Sequence, residues 1–315
     1  MTGPYRLTLT SPFPRPETLV RATRDLDRGR TTPERAEEAF ASAEAEVRRL
    51  EVDLRLDSVT GGYLRWPDLF RPFTQLWSGA RAGPLTRFFE TNTFYRQPIL
   101  DAPPRPGRGH LSDWLPKGRT ARALLPGPYT LAALAEARYA SGPDTSVLRD
   151  VAAALSASIR DLGADRPGYF QFQEPMLAYA PPPRDRAGLL DAYRELATAC
   201  AGTTTAVWTY FGDGGPALAA LAPLPVDILG LDLLSSRLPA GVRLAGKALG
   251  VGCLDPTTTL PEDLATVGQL VRSAEAALAP SGVWLGPNPP LDLLPFDSAV
   301  TKLQLLPRLR EELTR

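Results

Sequence analysis

The stretch Thr204-Thr-Ala-Val-Trp-Thr-Tyr-Phe-Gly-Asp213, with Val226-Asp-Ile-Leu-Gly-Leu-Asp232 shortly after it, decides how this chain is read. Each part is a short, near-continuous apolar run that ends in polar residues. Such runs fit parallel strands covered on both faces, whereas a half-exposed strand would alternate apolar and polar residues. Working outward, the same texture recurs at Arg6 to Leu9, Ala121 to Leu125, Tyr169 to Gln173, Val242 to Leu249 and Val283 to Gly286. Between the runs lie stretches with helical periodicity: Thr32 to Leu54, Ser146 to Leu162, Asp185 to Cys200, Pro261 to Leu278 and Ser298 to Leu313. The first of these opens Thr-Thr-Pro-Glu, an N-cap followed by proline in the first turn.

Repeated β-then-α order predicts parallel strands joined by right-handed crossovers. No G-x-G-x-x-G follows the first strand, which removes the main support for a dinucleotide-binding sheet. The expected fold is α/β, a single (β/α)₈ TIM barrel spanning residues 1–315. In such a barrel the chemistry sits on loops after the strands. Those segments are Ser11-Pro-Phe-Pro-Arg15, Thr60 to Trp66, Pro126 to Tyr129, Gln171 to Pro175, Thr209 to Asp213, Asp232 to Ser235, Gly250 to Asp255 and Gly286 to Pro290. The Pro/Gly-rich run at about 99–110, Ile99 to Gly109 at its core, breaks this rhythm. It reads as an inserted loop, either solvated or serving as a lid or docking segment.

Composition narrows the partners. Lys plus Arg and Asp plus Glu both total 35, so no net field gathers nucleic acid or an anionic membrane. Apolar residues at 43% supply a sizeable core, and no long uncharged apolar stretch or signal-type leader is present, which predicts a cytoplasmic protein with small-molecule substrates. Cys200 and Cys253 read as free thiols, and the single histidine, His110, as a loop residue.

Taken in order, several segments resemble cobalamin-independent methionine synthase. Ser11-Pro-Phe-Pro-Arg15 is similar to that family's Gly-Ser-Phe-Pro-Arg turn, Thr91-Asn-Thr-Phe-Tyr-Arg96 to its Asn-Thr-Asn-Tyr, and Leu125-Pro-Gly-Pro-Tyr-Thr130 to its Leu-Gly-Pro-Val-Thr. Phe172-Gln-Glu-Pro175 stands where the family has Ile-Asp-Glu-Pro. Thr209-Tyr-Phe211, Leu224-Pro-Val-Asp227 and Gly230-Leu-Asp232 resemble segments of its N-terminal, zinc-free barrel. The resemblance implies methyl transfer from a methyltetrahydrofolate to homocysteine. It also implies a zinc ion that turns the homocysteine thiol into a thiolate. The matching positions here are Val207, Thr209, Asp232 and Pro289, and only Asp232 is a candidate ligand. No zinc bound through the family site is therefore expected. Tyr63 and Gln173 likewise replace the carboxylates that the resemblance places on the amino group of homocysteine.

The candidate site residues follow from these segments. Glu174 and Asp232 are the candidate catalytic carboxylates. Glu174 would face the mouth and anchor an ammonium or a pterin, or else pair with an arginine; Asp232 would do the same or cap the next helix. Lys247, one of three lysines, would meet an anionic ligand near the end of the seventh strand or form an ion pair. Arg15, Arg65 and Arg96 would take a carboxylate tail through forked donors. Trp66, Tyr95, Trp208 and Tyr210 would stack on a flat ring or simply pack. Asn92, Gln173 and Asp255 complete the binding set. Three readings compete. In the first, the barrel binds a folate-type methyl carrier or works with a separate zinc-bearing methionine synthase barrel. The others are a metal-free barrel enzyme and a non-catalytic regulatory or scaffolding barrel.

Overall fold

The computed structural model describes residues 4–140, 145–179 and 186–315. The chain opens with β1 (Tyr5–Leu7), α1 (Glu17–Asp27), α2 (Pro33–Asp53) and α3 (Arg71–Leu76), then a long pair β2 (Trp77–Arg87) and β3 (Phe94–Pro106). Next come β4 (Arg122–Pro126), α4 (Pro128–Leu134), β5 (Glu136–Ala137), α5 (Thr145–Arg160), β6 (Tyr169–Gln173), α6 (Met176–Tyr179) and α7 (Arg186–Ala199). It finishes with β7 (Thr204–Trp208), α8 (Gly215–Leu221), β8 (Ile228–Asp232), β9 (Ala248–Leu254), α9 (Leu264–Leu278), β10 (Val283–Pro287), α10 (Phe296–Leu303) and α11 (Leu305–Thr314).

Seven strands form one parallel sheet in the order β1-β10-β9-β8-β7-β6-β4. Its two edges approach the same short segment: Thr8 bridges Ser58 and Val59 bridges Ala121, both in parallel sense. Seven regular strands thus stand where eight were expected, and residues 58–59 make only single bridges. The curl needs little side-chain bulk in places. Trp208 is fully buried, and a Cβ on Gly230 or Gly250 would run into its ring, so the glycines make room for the indole. Below it, the buried Arg122 guanidinium donates to Ser58 Oγ and Gln171 Oε1 and lies over the rings of Tyr169 and Trp284, 5.1 and 4.7 Å from their centroids.

Most sequence expectations hold to within a few residues. Thr32 caps α2, its hydroxyl accepting from Arg35 N, and Asp263 caps α9. Asp185, the first residue expected in the helix ending at Cys200, lies outside the described residues. The helix expected at Ser298 to Leu313 is two helices meeting at Gln304. Pro307, near the start of α11, has no N–H to bond back into α10.

Two expectations need correction. The strand placed at Val242 to Leu249 runs instead from Ala248 to Leu254, because glycines in Gly250-Val-Gly252 let the backbone approach Trp208 and Asn288 closely. The inserted loop at about 99–110 is mostly strand: β3 pairs antiparallel with β2 and parallel with β5, a three-stranded arm beside the barrel. Its prolines misled the reading. Pro cannot donate to a ladder, but the β2–β3 register shifts at Ser78/Ala80 and Ala82/Leu85 supply the irregularities where strands tolerate it.

Replacing Gly250 by Ala should cost about 1–3 kcal/mol of stability, since the added methyl would overlap the Trp208 ring and the Gly230 backbone. Urea unfolding measures it, and an unchanged midpoint would show that the interior is not close-packed there.

Candidate functional site

The carboxyl ends of the strands surround a cavity of about 320 Å³, the volume range of small-molecule sites. One side is built by the turn at Thr60 to Trp66. Three successive residues there, Gly61, Gly62 and Tyr63, have φ of 66°, 80° and 57°, a run that needs outside support. The support is Glu51 on α2, buried, whose carboxylate accepts from Thr60 N (2.6 Å), Thr60 Oγ1 and Gly61 N. The turn then aims Tyr63 and Trp66 at the cavity. Leu124 N donates to Tyr63 Oη at 2.6 Å, and Trp66 Nε1 donates to Trp114 O at 2.9 Å.

The β2–β3 arm roofs the cavity with Phe88, Thr93, Phe94 and Tyr95. Asp68 ties the arm down: its carboxylate accepts from Phe70 N and Arg71 N, and from Arg96 N at 3.2 Å. Gln173, Tyr210 and the Pro289 to Asp292 segment form the remaining walls. Gln173 Nε2 donates to Thr10 O, while its Oε1 is buried with no hydrogen-bond partner among the described residues. An orphaned acceptor at a cavity wall is a place for a ligand donor. Asp292 is exposed where it borders the cavity, yet the protein crowded around it pushes its carboxyl up to about 6, against its own backbone N–H and the pull of Arg15. Sequence reasoning missed Asp292 because it lies two residues beyond the last strand-end segment, after Pro290.

A second lobe of about 340 Å³ shares Pro12, Tyr63, Trp66, Pro67 and Asp292 with the first and adds Arg15. Arg15 Nε donates to Leu64 O and its guanidinium lies 5.7 Å from the Phe40 centroid. A larger cleft of about 580 Å³ lies on the other side of this turn, against α2 and residues 113–116, and of the strand-end segments it touches Thr60 to Trp66 alone.

Of the expected site residues, Trp66, Tyr95, Gln173 and Tyr210 line the cavity and Arg15 lines its neighbour. The others are placed elsewhere. Glu174, expected at the mouth, is fully buried and turns to α4, accepting from Tyr129 N, Thr130 N (2.7 Å) and the Tyr193 hydroxyl; Gly127 leaves it room. Asp232 caps its own turn through Leu234 N and Ser235 N and accepts from Asn288 Nδ2 at 2.6 Å. Lys247 precedes β9 and so lies at the opposite end of the sheet, donating to Leu224 O and Val226 O. Arg65 pairs with Glu37 and Glu44, Arg96 bonds to Gly83 O, Asn92 is exposed at the arm's tip, and Asp255 accepts from Thr257. Trp208 fills the interior below the cavity.

The sequence profile described as cobalamin-independent synthase, N-terminal domain, matches residues 77–279. This chain belongs to that family. Among relatives of the synthase family, it is 30% identical over 241 residues to the 5-methyltetrahydropteroyltriglutamate–homocysteine methyltransferase of Nitratidesulfovibrio vulgaris (strain Miyazaki F), covering 68% of this chain and 31% of that protein. The enzyme of the same description from Mycobacterium tuberculosis is 33% identical over 204 residues, 60% of this chain and 27% of the other. The chain thus spans about a third of the length of the curated relatives it matches. Its fold is similar to a B12-independent methionine synthase from Shewanella sp. W3-18-1, solved in complex with selenomethionine, with TM-score 0.74, 17% identity and 98% of each chain covered. A putative vitamin-B12-independent methionine synthase from Listeria monocytogenes superposes equally well, at TM-score 0.74 and 15% identity over 96% of each chain.

The four positions that the sequence resemblance pairs with zinc ligands are a buried Val207, Thr209 bonded to Gly230 O, Asp232 engaged as above, and Pro289. This donor set does not fit zinc, which takes sulfur, imidazole or carboxylate ligands. Among the described residues no group of three or more His, Cys, Asp or Glu is arranged to hold a metal ion.

Burial pushes the Glu174 carboxyl up from an ordinary 4.5 to about 7, against the donors of Thr130, Tyr129 and Tyr193. A carboxyl raised in the folded state holds its proton better there, so its contribution is full below about pH 4.5 and fades as pH rises through about 7. Glu174→Gln removes that titration. The stability of wild type relative to the variant should therefore decline across this window in urea titrations, and parallel pH curves would refute the assignment.

Proposed function

We propose that this chain is a methionine-synthase-like barrel, completed by the segment at residues 58–59 as an eighth stave, that binds a folate-type methyl carrier at its mouth. In this reading it hands the methyl group on only together with a separate zinc-bearing barrel. Zinc, where the family holds it, supplies thiolate activation of homocysteine. The strand ends of this chain offer no donor set for that step, so the contribution assigned to its own residues is binding and orientation.

One observation carries the reading: an aromatic lobe and an arginine-bearing lobe meet at Asp292. A pterin is flat, fits between Trp66 and the rings of the arm, and presents adjacent N–H donors along its pyrimidine edge. The Asp292 carboxylate is an acceptor for such an edge. The acidic tail of a folate then reaches Arg15, whose guanidinium offers forked donors. Family membership supports the substrate class, since the relatives' names specify a methyltetrahydropteroyl donor.

Calorimetry with 5-methyltetrahydrofolate tests it. Saturable binding should weaken about tenfold in Asp292→Asn, the scale of one charge-assisted hydrogen bond, and also in Arg15→Ala. Affinity should rise with pH through about 6 as Asp292 ionises. The charged or titratable groups around it are Arg15, Asp68, whose oxygens are taken by backbone N–H groups, and Tyr210, pushed up by burial. No binding at any pH would end the proposal. The same preparation should hold no stoichiometric zinc and leave homocysteine unmethylated; tightly held zinc with activity in the isolated chain would overturn the division of labour.

A further inference from the structure

Resting on the reading that the mouth cavity is the ligand site, we propose that its aromatic lobe is also a binding site for small methylated onium cations, sulfonium or quaternary ammonium. Charge is the first argument. Asp68 and Asp292 both line the lobe, and among the described residues no Lys, Arg or His does. Arg15 faces only the neighbouring lobe and is fastened to Leu64 O. Asp68 spends its oxygens on backbone N–H groups and on Arg71, whereas Asp292 makes no ion pair among the described residues. The lobe itself therefore carries acids and no cation, with Arg15 acting on Asp292 only from the neighbouring lobe, and it penalises an anion placed there.

The walls supply the second argument. Tyr63, Trp66, Phe88, Phe94, Tyr95 and Tyr210 bring six aromatic rings to one cavity. Edge-to-face contacts brace them, Tyr63 on Trp66 at 4.9 Å and Phe88 on Tyr95 at 5.7 Å between centroids. Rings attract a cation through their quadrupole, most strongly when both are desolvated. A primary ammonium fits less well, because each of its three N–H donors needs an acceptor inside an apolar box. An onium ion has no N–H at all and spreads its charge over methyl hydrogens. These need only ring faces and weak acceptors.

The test uses the full chain and four probes in parallel: trimethylsulfonium chloride, tetramethylammonium chloride, the neutral isostere neopentyl alcohol, and 5-methyltetrahydrofolate, with sodium chloride balancing the salt. Calorimetry and tryptophan fluorescence should show saturable binding of both onium ions, none of the alcohol, and competition between onium and folate. Affinity for onium should fall about fivefold to tenfold in Asp292→Asn and in Phe94→Ala, whose ring is half exposed and can be removed without opening the core. Folate binding without onium binding overturns this inference and leaves the site reading standing. Failure of every probe removes both. Onium binding that ignores both substitutions, or that does not compete with folate, also overturns it, because the cation then sits elsewhere.

Discussion

One carbonyl oxygen organises the inside of this curled sheet. Thr10 O accepts amide protons from Gln171 and Gln173 at 2.8 and 2.7 Å, joining the end of the first strand to a strand across the sheet. Inside a poorly polarisable interior such bonds are worth keeping, and each half has a consequence. Gln171 is left with an oxygen for Arg122, which gives the buried guanidinium below it a neutral partner. Gln173, which lines the cavity above, is left with a buried oxygen that has no donor among the described residues. That acceptor is therefore the residue of a bond that the fold itself requires.

The acids near the strand ends, the two candidate catalytic ones among them, serve mainly to hold backbone in place. Glu51 steadies a left-handed turn, Glu174 closes the start of a helix, Asp68 clamps the arm and Asp232 caps its own turn. A carboxylate bonded by two or three N–H groups has little left for a substrate. Asp292, just past the strand ends, forms no ion pair among the described residues and feels Arg15 only at a distance, while the three bonds to Asp232 all fall on its Oδ1.

Much of the fold was legible because buried parallel strands and capped amphipathic helices leave local signatures. The runs at Tyr169 to Gln173 and Thr204 to Tyr210 and the Thr32 cap show this. The site was legible only in part. Trp66, Tyr95, Gln173 and Tyr210 could be found because residues after strands tend to face the mouth. Whether a side chain there turns inward or toward its own backbone is set by neighbours distant in sequence. Tyr129 and Thr130 capture Glu174, and Asn288 captures Asp232. Lys247 was misplaced with its strand: a six-residue shift moved it from one end of the sheet to the other. The β2–β3 arm was hidden by its prolines, which usually mark loops.

That arm leaves the outer edge of β2 without a partner strand. An edge of this length would normally recruit other copies of the chain into intermolecular sheets, but Arg108 covers Trp77 O and Ala80 O and Arg96 covers Gly83 O. Pro84, the register shifts beside it, and the arginines at 81 and 87 interrupt and charge this edge. The features that disguised the arm as a loop thus make its edge a poor template for a further strand, in a ribbon that lies over the mouth of the molecule.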